Sequence, residues 1–197
     1  MFRWIFAASL GLTVGCSRGP TEKDAINPTY LSILAAGAAR EAVSQAAGAA
    51  GRLVAVVADR PGMAPRNNEF LEAMERHARS VGFSGVEAVR LGYEESGTTT
   101  VPGEIYSKIL NEQGNASAIV WMCSTPPDTS AAHVRKGKAA RIVVIMEESP
   151  SADYAARLLE KKAADAVIEP RGYIGPEVGK KSRDLLKTFD EIFDVKR

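Results

Sequence analysis

Leu53-Val54-Ala55-Val56-Val57 is a continuous apolar run, preceded by Gly51 and followed by the turn-forming residues Asp59-Arg60-Pro61-Gly62. Its β-branched content and lack of polar alternation predict a strand covered on both faces, as in a parallel sheet. After it, residues 68–80 carry Phe70, Leu71, Met74, His77 and Ala78 on one side and charge on the other, which predicts a helix. Before it, residues 30–48 are alanine-rich, with Leu31, Leu34, Ala38, Val43 and Ala46 at helical spacing and Gly48 at the end. The alternation repeats downstream. Strands are predicted over 85–91, 117–122, 141–146 and 164–168, helices over 103–111, 151–162 and 176–193, and a weaker helical segment over 129–137. Ser151 is the expected N-cap of the penultimate helix, and Pro176 falls in the first turn of the last, whose apolar face holds Leu185, Leu186, Phe189, Ile192 and Phe193. Repeated strand–helix units predict an α/β fold, a doubly wound three-layer sandwich around a mostly parallel sheet of about five strands.

The first residues read differently. Met1-Phe2-Arg3 is followed by an apolar run over 4–14, the length of a signal-peptide core and too short to span a bilayer. Leu12-Thr13-Val14-Gly15-Cys16-Ser17 resembles a lipobox. That resemblance implies export, cleavage before Cys16 and lipidation of its thiol. Ser17, Arg18, Gly19, Pro20, Thr21, Glu22, Lys23 and Asp24 are small or polar and read as a tether. The expected organisation is therefore a signal peptide over 1–15, the lipidated Cys16 and tether over 16–28, and one domain over 29–197. The expected location is the cell envelope, with the domain facing the periplasm or the exterior.

Composition narrows the partners. Lys plus Arg number 25 against 24 Asp plus Glu, a formal net charge of +1, which gives no electrostatic case for nucleic acid. There is no polybasic cluster for anionic lipid, so membrane attachment rests on the acyl chains. With Cys16 lipidated, Cys123 is a lone thiol, best read as a small buried hydrophobe.

In a doubly wound sheet, ligands bind beyond the carboxyl ends of the strands. The corresponding loops cover 58–67, 92–101, 123–128, 147–150 and 169–173. They hold no phosphate-cradling Gly-x-x-x-x-Gly-Lys and no Gly-x-Gly-x-x-Gly after the first strand, so no nucleotide cofactor is expected. Gly82-Phe83-Ser84-Gly85 is not a nucleophile elbow, because its serine precedes a strand. His77 and His133 lie far apart and predict no metal site. Glu147-Glu148 follows the fourth strand, where a carboxylate pair serves either as a general acid and base or as favourable charge ahead of a helix N-terminus. Arg66, in the loop after the first strand, is placed to fork onto a carboxylate or sugar hydroxyls.

Taken in order, these segments resemble the C-terminal lobe of type I periplasmic solute-binding proteins, the ribose-binding-like sugar receptors of ABC transporters. The resemblance covers about residues 30–193. It rests on the alanine-rich helix with Gly37, on Pro65-Arg66-Asn67-Asn68-Glu69-Phe70-Leu71-Glu72-Ala73 beside the family's Arg-x-x-Gly-Phe-x-x-Ala, and on Asp165-Ala166-Val167-Ile168-Glu169-Pro170 with Tyr173 and Gly175 before the closing helix. The resemblance puts the family's ligand-contacting arginine on Arg66. It puts the Asn-Asp after the third strand on Cys123-Ser124, the Asp after the fourth on Glu147, and the Gln after the fifth on Glu169. Only the arginine is unchanged, and Glu69 replaces the glycine. A single lobe would offer an open shelf in place of a closing cleft.

The resemblance implies a lipid-anchored, non-catalytic binder of a small sugar-like solute, working with a transporter permease or a sensing system. Two other readings stay open: an envelope lipoprotein acting through a partner protein with no small ligand, and a hydrolytic enzyme using Glu147 with Cys123 or Glu169.

Overall fold

The computed structural model describes residues 29–48, 51–92, 95, 101–122, 140–147, 153–172, 174 and 184–197. Along the chain run α1 (Tyr30–Gln45), β1 (Arg52–Ala58), α2 (Ala64–Ser80), β2 (Gly85–Leu91), α3 (Gly103–Glu112), β3 (Ala118–Met122), β4 (Arg141–Ile145), α4 (Tyr154–Glu160), β5 (Ala166–Pro170), α5 (Leu185–Ile192) and β6 (Phe193–Lys196). The strands form one six-stranded sheet in the order β2-β1-β3-β4-β5-β6. Five of them are parallel, and β6 runs antiparallel to β5, with Glu169 opposite Asp194 and Pro170 opposite Phe193.

The apolar runs behave as two-faced strands. Leu53, Ala55 and Val57 of β1 point into one core with Ala118, Val120, Val143, Ile145, Ala166 and Ile168, under helices α1, α2 and α5. Val54 and Val56 point the other way, into a second core with Ile119, Trp121, Ile142, Val144 and Val167, under α3 and α4. This is the expected doubly wound three-layer sandwich. The sheet order turns back at β1: α2 leads from it along one face to β2, and α3 then returns along the other face towards β3. The gap between the ends of β1 and β3 is thus the topological switch point, where folds of this class place their ligands.

α1 is buried on nearly every side because its alanines let it lie close beneath the sheet; Ile33, Leu34, Ala35, Ala38, Ala39 and Ala42 are fully enclosed. Thr29 caps it, accepting a hydrogen bond from the Ser32 amide at 3.3 Å. Gly37 is where α5 crosses, and a Cβ there would overlap the ring of Phe189.

Five boundaries differ notably from expectation. α2 begins at Ala64, with Pro65 in its first turn, so Arg66 is a helical residue and not a loop one. β5 extends to Pro170, which puts Glu169 within the strand. α4 starts at Tyr154 after Asp153, and Ser151, the expected cap, lies outside the described residues, as does the segment 129–137. The last helix starts at Leu185, capped by Asp184, which accepts from the Lys187 amide at 3.0 Å. Phe193 belongs to a sixth strand: Phe193-Asp194-Val195-Lys196 alternates with period two, Phe193 and Val195 facing the α1 core.

Candidate functional site

Four side chains gather at the carboxyl end of β1. Asn67 is buried, and its Nδ2 donates to the Ala58 carbonyl at 2.8 Å, tying the first turns of α2 to the strand end. Asp59 accepts from Arg90 Nη1 at 2.9 Å, and Arg90 Nη2 reaches Asn68 Oδ1 at 2.7 Å. Asn67 thereby shares the Ala58 carbonyl with the Arg60 amide, while Arg90 links the turn after β1 to α2 through side-chain bonds.

Arg66 projects from the first turn of α2 and forms an ion pair with Glu147, two residues past the end of β4. Since β3 lies between β1 and β4, the pair spans the end of β3 beside the switch point. Both side chains are mostly enclosed, Arg66 29% and Glu147 17% exposed. A cation near a helix N-terminus is unfavourable to the helix dipole, and the Glu147 carboxylate compensates it. Burial lowers the pKa of Arg66, while the field of Tyr30 raises it. Tyr30, in the first turn of α1, has its own pKa raised by burial, an effect opposed by the charge of Arg66. The phenol therefore stays protonated and able to donate at neutral pH. Its ring lies 5.8 Å from that of Phe193, at the start of β6.

Glu169 does not join this group. Strand alternation puts it on the face of Val167, which packs under α4, and there it pairs with Lys196 of β6. Glu147 turns to the α2 face. The structure thus brings Arg66 and Glu147 together and sets Glu169 on the opposite side of the sheet. Cys16, Cys123, Ser124, Glu148, His133 and Tyr173 lie outside the described residues. His77, on α2, has its pKa lowered by burial and by neighbouring Arg76. Among the described residues no three His, Cys, Asp or Glu side chains form a metal-binding group. Nor is any described helix long and apolar enough to cross a membrane.

Tyr30, Asp59, Asn67 and Arg90 were not singled out by sequence. Asn67 carries the clearest signal in hindsight, a polar residue at a position whose helical neighbours Phe70 and Met74 face the core. Chemically, this edge offers a guanidinium, a carboxylate and a phenol whose charges nearly cancel. A planar guanidinium has several N–H donors beyond those used in one ion pair, and the second carboxylate oxygen accepts. Such a set suits neutral hydroxyl-bearing groups better than an ion.

The fold is like that of a solute-binding protein. Among solved structures with a similar fold is GanP of Geobacillus stearothermophilus, described as a glucose-galactose binding protein, which matches with a TM-score of 0.50 at 18% identity. The match covers 86% of this chain and 60% of GanP, so this chain spans less than two thirds of that protein's length. No protein-family model and no curated relative matches the sequence.

Proposed function

We propose that this chain is a lipid-anchored, non-catalytic solute-binding lipoprotein whose ligand is a small neutral, hydroxyl-rich molecule of the sugar type. One observation carries the reading: the enclosed Arg66–Glu147 pair lies at the carboxyl edge of a doubly wound sheet, beside its switch point. The likeness to a sugar-binding protein supports it at the level of the fold. In this reading residues 1–15 are the signal peptide, Cys16 carries the lipid, 17–28 form the tether and 29–197 the binding domain, facing the periplasm or exterior. In the same reading Cys123 and Ser124, which lie outside the described residues, contribute to ligand binding, and a transporter permease or sensor is the partner. Among the described residues, Glu147 is held by Arg66 and Glu169 by Lys196 on the other face, so these two carboxylates do not oppose one another for acid–base work, which supports the non-catalytic reading.

The test is a thermal-shift screen of the purified protein against mono- and disaccharides, amino acids and nucleosides. A ligand that binds the native state raises the midpoint by mass action. We expect one or more sugars to raise it, and the shift to vanish in Arg66→Met while that variant keeps the wild-type circular dichroism. A screen in which no sugar moves the midpoint discards solute binding in favour of an envelope lipoprotein that acts through a protein partner.

A further inference from the structure

Among the described residues β2 is the outer strand at one end of the sheet, with no strand beyond it, and such an edge is a template for another strand. The direction of its polar groups follows from the ladder. The Asp59 amide donates to the Leu91 carbonyl at 2.7 Å, so in the parallel register the odd residues of β2 bond to β1. Val86, Ala88 and Arg90 therefore direct their N–H and C=O groups outward.

Beside this edge runs a groove of about 440 Å³ between α2 and β2, lined by Leu71, Glu72, Glu75, Arg76, Val86 and Ala88. An outward N–H row next to an apolar groove is what an added strand recognises: the backbone supplies affinity and the groove receives alternate side chains. One side chain interrupts it. Glu75 Oε2 accepts the Val86 N–H at 2.8 Å, and Glu75 Oε1 is fixed by Arg79 Nε at 2.6 Å.

We propose that Glu75 is an edge guard, a carboxylate held by Arg79 on the Val86 amide so that β2 cannot pair with β2 of a second copy. The outward direction of these groups permits that pairing. Two β2 strands meeting antiparallel about a two-fold at Ala88 set Val86 of each against Arg90 of the other, in positions that exchange both backbone hydrogen bonds. With Glu75 in place, the Val86 N–H is already taken in both copies. Arg90 is meanwhile drawn back onto α2 by Asp59 and Asn68, which leaves Ala88 as the exposed centre of the strip.

Analytical ultracentrifugation of the purified protein over a concentration series tests this. Glu75→Ala is expected to shift reversibly from monomer to dimer with rising concentration, while wild type stays monomeric over the same range. Glu75→Gln, which keeps an accepting oxygen, is expected to sediment like wild type. Adding Ala88→Lys to Glu75→Ala places a charge on the strip and should restore the monomer. A Glu75→Ala protein with wild-type circular dichroism that stays monomeric overturns the proposal, as does a dimer that Ala88→Lys leaves intact.

Discussion

Glu41 is only 3% exposed in its side chain, on a helix otherwise lined with alanine, and it is ionised because its partners come from elsewhere in the chain. Burial pushes its pKa up, but hydrogen bonds from Arg197 at 2.7 and 2.9 Å and from Gln45 at 2.8 Å, with the field of Arg40, outweigh that and hold it below the ordinary value. The sign of the pH dependence follows. A carboxylate with a depressed folded-state pKa adds stability that is fully present above its unfolded value, about 4.3, and is lost as pH falls through the lower folded value. Urea denaturation from pH 7 to pH 3 should show this acid loss in wild type. Glu41→Gln should cost about 1–2 kcal/mol at pH 7, since Arg197 is itself well exposed, and should flatten the slope below pH 4.3. An unchanged slope would deny Glu41 that role. The Arg66–Glu147 pair is also largely enclosed but lies at the carboxyl edge of the sheet, where folds of this class place their ligands.

Among the elements, α1 and α5 meet more closely than two ordinary helices because Gly37 presents no side chain to Phe189. Phe189 is fully buried, stacks on Phe193 with centroids 5.0 Å apart, and is covered by the Arg40 guanidinium 5.3 Å from its centroid. Its ring cannot swing away cheaply. Gly37→Ala gains about 1 kcal/mol of helix propensity yet forces the two helices apart. A net loss of about 1–2 kcal/mol is expected, measured by urea denaturation, and Phe189→Leu in the same chain should recover part of it through non-additive coupling. The element boundaries teach a related lesson. Phe193 fits the apolar stripe of the closing helix by spacing, and only the antiparallel partner β5 makes it the first residue of a strand. Likewise α2 starts at Ala64 with Pro65 in its first turn, a position that suits proline, whereas the preceding Pro61-Gly62 lies in the turn.

For the whole molecule, the proposed lipid anchor on Cys16 is what would fix where the domain works. If Cys16 is the anchor, as proposed, Cys16→Ser should release the protein from the membrane fraction into the soluble fraction after cell disruption, because acyl chains on that thiol would supply the attachment. Retention of that variant on membranes would overturn the anchor.

The sequence by itself determined the class of fold. Apolar runs at Leu53 to Val57, Ala118 to Met122 and Arg141 to Ile145 alternate with amphipathic helices, and such periodicity is a local property that fixes which residues face inward. It also pointed to Arg66 and Glu147, since both follow strand ends. Only the tertiary structure decided which acidic group Arg66 meets. Strand order sets β4 two places from β1, and alternation turns Glu147 towards α2 and Glu169 away from it. Glu169 instead pairs with Lys196, on a sixth strand that local spacing had partly assigned to a helix. Which side chains meet depends on sheet order and on parity within each strand, and both are set by contacts between residues distant in the chain.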